Sequence, residues 1–135
     1  MTGTPIRIVI CEDDEKLAGL VVEILDGDGR FIVVGRAVDG HEAVRLCEEH
    51  SPDIVLMDIG MPGRDGIDAT RAIHARDGGQ HVVIYTGSDE YNDIARADDA
   101  GAVGYLHKGA LTSPDLAEAL HVLHTNYVRG VPDPD

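Results

Sequence analysis

Acidic, hydroxyl and basic side chains follow short apolar runs at four places in this chain: Glu12 and Asp13, Asp58, Thr86 and Lys108. If the four runs are neighbouring strands of one parallel sheet, their carboxyl ends open into one crevice, where ligands of such sheets bind. Three carboxylates in that crevice repel one another unless a shared cation neutralises them. Oxygen donors suit a hard cation such as Mg²⁺, which takes one or two carboxylates and keeps water for phosphate oxygens.

The same side chains have the chemistry for phosphoryl transfer. A carboxylate can attack phosphorus and form an aspartyl-phosphate, and Asp58 directly follows the apolar run Ile54–Met57. The Lys108 ammonium can pair with a phosphoryl oxygen as a point charge, and the Thr86 hydroxyl can donate to another. A metal, a lysine and a hydroxyl together spread the charge of the transferring group. Each residue also has an ordinary structural interpretation, and we expect one for Asp14, as an acid in the first turn of a helix.

The apolar runs have the length and the β-branched content of buried strands. Between them, apolar residues recur at helical spacing, so five strands alternate with five helices. This alternation predicts an α/β, flavodoxin-like (βα)5 fold, a doubly wound five-stranded parallel sheet with helices on both faces. We expect the more mixed second strand at an edge, and a weak fourth helix over Tyr91–Ala100 with Ile94, Ala95 and Ala97 as its apolar face. The predicted strands are Ile6–Cys11, Phe31–Ala37, Ile54–Met57, His81–Thr86 and Ala102–Leu106.

Composition narrows the class of protein. The chain has 135 residues, enough for one domain with a core, and a formal net charge of −14. A strongly acidic surface repels nucleic acid and anionic membrane, so we expect no direct nucleic acid binding and no membrane contact. Cys11 and Cys47 lie far apart in apolar stretches, which favours two core thiols in a reducing compartment. The sequence has no signal peptide and no transmembrane run, which predicts a soluble, cytoplasmic protein.

Four segments together resemble the receiver domain of two-component response regulators, and the likeness extends from Ile6 to Tyr127. The segments occur in the order and at the spacing of that family. The resemblance implies a phosphoacceptor signalling domain and not an enzyme, since such a domain assists only its own phosphorylation and dephosphorylation. The matching segments are Ile8–Asp14, Val55–Asp58 with Met61–Gly66, Val83–Gly87 and Gly101–Lys108.

The resemblance implies a role for each residue of the site. Asp58 is the phosphoacceptor, Lys108 contacts the phosphoryl group, and Thr86 is a switch hydroxyl that moves toward it. Tyr105 is the switch aromatic that follows Thr86. The implied cofactor is Mg²⁺, with Mn²⁺ as a substitute, and its implied ligands are Glu12, Asp13, Asp58 and the backbone carbonyl of Gly60.

The resemblance also implies partners. A sensor histidine kinase or a phosphotransfer protein donates the phosphoryl group, and the fourth helix, fifth strand and fifth helix form an output face through which a homodimer can form. We predict a receiver domain over residues 1–128 and a polar, flexible tail over 129–135. The segment Gly104–Ala110 is most similar to receivers that precede a DNA-binding module, so we expect the regulatory part of a transcriptional regulator or a stand-alone regulator.

Several positions depart from the residues that are usual in the family. Glu12 stands where aspartate is frequent, and its longer side chain favours a water-mediated contact with the metal. Gly109 replaces a proline that often follows the lysine, sometimes through a cis bond, and a cis bond before glycine is costly. Gly60 and Ser88 are small residues at positions that tune dephosphorylation in the family, so we hypothesise easy water access and fast loss of phosphate.

Two other classes of protein remain open. A haloacid-dehalogenase-like phosphatase also forms an aspartyl-phosphate, but it carries a second aspartate two residues after the nucleophile, where this chain has Gly60. The other class is a receiver-like interaction module that never takes phosphate. The complete set of acids, threonine and lysine argues against this module, because binding alone does not require those side chains.

Overall fold

The computed structural model of the chain describes residues 4–61, 65–76, 78–87, 91–108 and 113–128, without the side chains at 91, 92, 113, 114 and 126–128. Five strands alternate with five helices in these residues, as the sequence predicts. The strands are β1 Ile6–Cys11, β2 Phe31–Ala37, β3 Ile54–Met57, β4 His81–Thr86 and β5 Gly104–His107. The helices are α1 Glu15–Asp26, α2 Gly40–His50, α3 Gly66–Ala75, α4 Tyr91–Ala100 and α5 Ser113–Val128.

The strands lie parallel in one sheet with the order β2-β1-β3-β4-β5. β3 is buried at every residue because it pairs with β1 and β4 and has helices on both of its faces. The mixed strand β2 is an edge strand, as predicted. From β1 the chain proceeds outward to β2, and from β3 it proceeds outward on the other side. The direction in which successive strands are added to the sheet therefore reverses between β1 and β3. Doubly wound folds bind their ligands at this point of the sheet.

Alternate strand residues face two separate apolar layers, because successive side chains of a strand point to opposite sides of the sheet. One layer joins the sheet to α2, α3 and α4 and includes Met57 and Ile84. The other layer joins the sheet to α1 and α5 and includes Leu56 and Tyr85. Two consecutive residues at a strand end therefore reach different sides of the sheet, and this alternation decides which side chains can meet there.

One strand boundary and one helix face differ from the sequence prediction. β5 spans Gly104–His107 and not residues 102–106. Among the α4 side chains that the structure describes, Ala97 is buried as predicted and Ala100 is buried too, whereas Ile94 is 39% exposed and Ala95 is also exposed. With so few apolar residues in α4, spacing alone identified only part of its inner face. The predictions on Ser88, Gly109 and the tail 129–135 lie outside the described residues.

Cys11 and Cys47 are buried and form no disulfide, so their predicted place in the core is confirmed. Burial raises the pKa of the Cys11 thiol well above its ordinary value and that of Cys47 to about 11, which keeps both thiols protonated at neutral pH. Within the described part of the chain, no helix combines the length and the apolar character that crossing a membrane requires.

Candidate functional site

The three acids after β1 have three different surroundings. Glu12 is buried, with 1% of its surface exposed, while its backbone N–H still pairs with a carbonyl of β2 at 2.9 Å. Asp13 is exposed. Asp14 is the N-cap of α1, and its Oδ1 accepts the backbone N–H groups of residues 16 and 17 at 3.0 and 3.2 Å. The structural interpretation expected for Asp14 is confirmed, and it does not extend to Glu12.

Asp58 follows β3, and its side chain is 8% exposed. Its Oδ1 accepts the Gly60 N–H at 3.1 Å, which begins the turn after the strand. A Cβ at Gly66 would lie 2.2 Å from the Asp58 carbonyl oxygen, so glycine lets α3 start this close to Asp58. Burial raises the pKa of the Asp58 carboxyl above its ordinary value, although the Gly60 hydrogen bond and the Lys108 charge act against this rise. The metal contact of the Gly60 carbonyl stays a prediction.

Lys108 bridges the two buried carboxylates. Its Nζ donates to Glu12 Oε1 at 2.6 Å and to Asp58 Oδ2 at 3.1 Å. Burial disfavours the charged ammonium, but the hydrogen bonds and charges of Glu12 and Asp58 outweigh burial, and the pKa of Lys108 is raised. Lys108 is therefore charged at neutral pH, and it lies where it can meet an oxygen of a group bound to Asp58.

Tyr85 belongs to the site, although no motif in the sequence singled it out. Its side chain is fully buried among the residues under α1 and α5, and its hydroxyl donates to Glu12 Oε1 at 3.0 Å. The Lys108 Nζ lies 5.1 Å from the centroid of its ring. One signal was present in the sequence, because a tyrosine at the end of the apolar run Val82–Ile84 needs a partner for its hydroxyl if it is buried.

Thr86 and Tyr105 lie on neighbouring strands. Thr86 ends β4 and is 5% exposed. Tyr105 stands opposite Ile84 across the strand pair and packs, partly buried, against the layer that includes α4. Because Thr86 and Ile84 share one side of the sheet, Thr86 and Tyr105 are diagonal neighbours on that side. This placement suits a pair of switch residues, and their movement stays a prediction.

Glu12, Asp13 and Asp58 form the one group of three or more potential metal ligands that the described residues bring together. Each offers one carboxylate oxygen, and these oxygens all lie within 4.8 Å of one another. A set of oxygen donors at this spacing fits a hard cation such as Mg²⁺. Glu12 already accepts hydrogen bonds at both oxygens, from Lys108 and Tyr85 at one and from a backbone N–H at the other. Asp13 and Asp58 are therefore better placed for direct contact with a cation.

Known proteins share both the sequence pattern and the fold. The family model of the response regulator receiver domain matches residues 8–121. The transcriptional regulatory protein PdtaR of Mycobacterium tuberculosis (strain CDC 1551 / Oshkosh) is 42% identical over 120 residues, which make up 89% of this chain and 57% of PdtaR. The chain thus spans little more than half the length of that relative.

Two solved structures show the same architecture. The signal receiver domain of NarL from Mycobacterium tuberculosis has a TM-score of 0.87 and 30% identity, over 91% of this chain and 98% of that chain. A chain of the CheX-CheY-BeF3-Mg+2 complex from Borrelia burgdorferi has a TM-score of 0.82 and 25% identity, over 90% of each chain. Sequence and structure lead to the same conclusion: this chain belongs to the response regulator receiver domain family of two-component systems.

Proposed function

We propose that this receiver domain accepts a phosphoryl group on Asp58 in a reaction that requires Mg²⁺. The proposal depends above all on the Lys108 ammonium, which lies 3.1 Å from Asp58 Oδ2 beside carboxylates that fit one hard cation. The similar chain from Borrelia burgdorferi belongs to a complex with BeF3 and Mg²⁺. That complex supports a phosphate-like group and Mg²⁺ as ligands of this family.

In the proposed reaction, a carboxylate oxygen of Asp58 forms a bond to the donor's phosphorus. The bond between that phosphorus and the donor breaks, and its electron pair leaves with the donor. The Gly60 N–H orients Asp58 through its 3.1 Å bond to Oδ1. Lys108 keeps a positive charge beside the phosphoryl oxygens, where negative charge increases during transfer. Asp13 and Asp58 would hold Mg²⁺, with Glu12 acting through water and the Gly60 carbonyl completing the set. Such an ion, Mg²⁺ or Mn²⁺, would supply positive charge to the phosphoryl oxygens.

The output face of α4, β5 and α5 changes in the proposed phosphorylated form. Thr86 moves toward the phosphoryl group, and Tyr105 follows on the same side of the sheet. The helix α4 suits such a change because Ala97 and Ala100 are small and are its buried residues among those whose side chains are described. Little burial leaves a small energy difference between two arrangements.

A sensor histidine kinase or a phosphotransfer protein is the proposed donor, and a second copy of the chain is a proposed partner of the output face. Sedimentation with and without the phosphate mimic BeF3 tests dimer formation, and an unchanged mass excludes dimerisation by this segment alone. We propose the cytoplasm as the location, since the buried thiols of Cys11 and Cys47 form no disulfide.

Transcription regulation is proposed for a whole protein and not for this domain by itself. The relative PdtaR, a transcriptional regulatory protein, is longer than the matched segment. The net charge of −14 opposes direct nucleic acid binding by this chain. A stand-alone regulator that acts through a protein partner is the other form of the proposal.

Intact mass after incubation with acetyl phosphate and Mg²⁺ tests the central proposal. We expect the gain of one phosphoryl group on the natural chain, and no gain in the Asp58→Asn variant or in the presence of EDTA. If no donor, including a kinase, adds mass to the natural chain, the protein is a receiver-like interaction module that does not take phosphate.

Fast loss of phosphate is a further part of the proposal. A Cβ at Gly60 would lie 3.7 Å from Asp58 Oδ1, so the glycine leaves space beside the acceptor that water can enter. The Gly60→Leu variant should fill that space and lengthen the lifetime of the phosphorylated form several-fold, measured by mass after the donor is removed. A natural chain that stays phosphorylated for many hours contradicts the hypothesis.

A further inference from the structure

The hydroxyl of Tyr85 lies inside the protein and donates a hydrogen bond to Glu12 Oε1 at 3.0 Å. The Tyr85 side chain has no exposed surface and packs in the apolar layer under α1 and α5. A buried hydroxyl without an acceptor is costly, so the carboxylate is a necessary partner for this tyrosine. Phenylalanine would fill the same apolar space, which makes the hydroxyl the distinctive part of the residue.

Glu12 receives donors on both of its oxygens. Oε1 accepts Lys108 at 2.6 Å as well as Tyr85, and Oε2 accepts the backbone N–H of Asp14 at 2.9 Å. A carboxylate offers about four acceptor positions, and three of them are used here. These bonds fix the orientation of the Glu12 carboxylate against Lys108, and this orientation leaves it little freedom to turn toward a cation.

Tyr85 also contacts Lys108 itself. The ammonium lies 5.1 Å from the ring centroid, within the range in which the face of an aromatic ring attracts a cation. The same ammonium donates to Asp58 Oδ2 at 3.1 Å. One buried tyrosine therefore touches both Glu12 and the lysine that lies beside the phosphoacceptor.

We propose that Tyr85 is a positioning residue of the Asp58 site: its hydroxyl holds Glu12 against Lys108, which keeps Lys108 beside Asp58 and leaves Asp13 as the other acid in direct contact with Mg²⁺. This inference rests on the proposed function and deepens it. Tyr85 touches neither the phosphorus nor the metal and acts through Glu12.

The Tyr85→Phe variant tests the role of the hydroxyl. Mg²⁺ titration without any phosphodonor, followed by amide NMR shifts, gives the dissociation constant of the ion. We expect a dissociation constant about five- to tenfold smaller than in the natural chain, the ratio that one hydrogen bond is worth, because the released Glu12 can turn toward the ion. At saturating Mg²⁺, the rate of phosphorylation by acetyl phosphate should fall several-fold, because Lys108 loses the fixed carboxylate that holds it.

A purely structural role of Tyr85 gives a different pattern. The matched control is Thr70→Val, which removes another buried hydroxyl, the one that donates to the Gly66 carbonyl at 2.7 Å. Both variants should lower the free energy of unfolding, but tighter Mg²⁺ binding is expected for Tyr85→Phe alone. Equal Mg²⁺ dissociation constants in the natural chain and in Tyr85→Phe overturn the proposal.

The Glu12→Asp variant tests whether Tyr85 acts through Glu12. In Glu12→Asp the side chain is shorter by about 1.5 Å, so the carboxylate no longer spans the distance to the Tyr85 hydroxyl. Adding Tyr85→Phe to Glu12→Asp should then leave the Mg²⁺ dissociation constant unchanged. If Tyr85→Phe changes this constant equally in the natural chain and in Glu12→Asp, the proposal is overturned. The titration needs no phosphodonor, so it decides the role of Tyr85 even if the natural chain takes no phosphate and the proposed function fails.

Discussion

Charged side chains form hydrogen bonds at both ends of the sheet, but their partners differ. At the carboxyl ends of the strands, Lys108 joins the side chains of Glu12 and Asp58. At the amino ends, the Arg7 guanidinium donates to backbone carbonyls at the C-terminal end of α2. Asp53 Oδ2 there accepts the backbone N–H of Arg7 at 2.9 Å. The carboxyl ends have bonds between charged side chains beside their backbone bonds, whereas these bonds of Arg7 and Asp53 each pair a charged side chain with the backbone.

This difference separates the proposed reaction site from a region that holds the chain in place. The bonds from Arg7 to backbone carbonyls hold the end of α2 beside β1. The bonds of Lys108 join groups whose charges an entering cation or a phosphoryl oxygen can match, so they can exchange partners. Mutations at the carboxyl ends should therefore change the rate of phosphorylation, whereas mutations at the amino ends should change the free energy of unfolding and leave that rate unchanged.

Lys108→Ala should have the largest effect. Without the ammonium, no lysine charge lies beside the phosphoryl oxygens while the group is transferred. We expect the phosphorylation rate to fall about 100-fold or more, which is the effect of removing one preorganised hydrogen-bond donor from a reaction site. The measurement is the rate of mass gain with acetyl phosphate and Mg²⁺. Lys16→Ala removes the other lysine of the chain, an exposed one on α1, and should leave the rate unchanged. If the rate of Lys108→Ala were within twofold of the rate of the natural chain, Lys108 would have no role in the reaction.

Arg7→Met should affect stability and leave the chemistry intact. The variant keeps the apolar stem but loses the donors to two backbone carbonyls, and we expect the free energy of unfolding to fall by about 1–3 kcal/mol in urea titration. The control Arg45→Met removes an exposed arginine whose ion pairs lie on the surface of α2, and it should cost less. If Arg7→Met changed the phosphorylation rate at equal folded fraction, the separation between the two ends would be wrong.

Asp58→Asn should stabilise the folded chain at neutral pH. The pKa of the Asp58 carboxyl is 3.8 in the unfolded chain and higher in the folded chain. At pH values between these two pKa values, the folded state therefore binds more protons than the unfolded state. Stability is therefore lost between 3.8 and the raised pKa, and the asparagine variant avoids this loss. In urea unfolding at several pH values, the variant should have the larger free energy of unfolding at pH about 7. The difference in this free energy between the two proteins should become smaller below the unfolded pKa. A variant less stable than the natural chain at neutral pH contradicts this.

His124→Gln should have the smallest effect and the opposite pH dependence. Burial lowers the pKa of His124, and of its ring neighbour His81 at 6.2 Å, below the ordinary value of 6.5, although Asp53 acts against this shift. The unfolded state then binds more protons just below pH 6.5, so stability falls as the solution becomes more acidic. The variant should lose less stability than the natural chain between pH about 7.5 and about 5.5 in urea unfolding. An identical slope in both proteins would show that His124 does not titrate on unfolding.

Sequence patterns predicted most of the architecture because they are local. Apolar runs bounded by turn residues identified every strand, and the mixed composition of β2 indicated an edge. For α4 the predicted bounds and the burial of Ala97 are confirmed, but Ile94 is exposed and Ala100, which was not predicted, is buried. A helix with so few apolar residues does not define a face by spacing, so contact with the sheet decides which side is buried.

The sequence by itself determined which chemical groups stand at the strand ends, since each follows an apolar run whose parallel neighbours end at the same edge. The tertiary structure decided which of these groups bond one another. Glu12 is 73 residues away from Tyr85 and 96 residues away from Lys108 in the sequence. No local pattern therefore encodes the hydrogen bonds among these three residues. Alternation along β4 turns Tyr85 toward α1 and Thr86 to the other side of the sheet. The tyrosine hydroxyl therefore meets Glu12 only when β1 and β4 lie on either side of β3, an arrangement that sheet assembly alone creates.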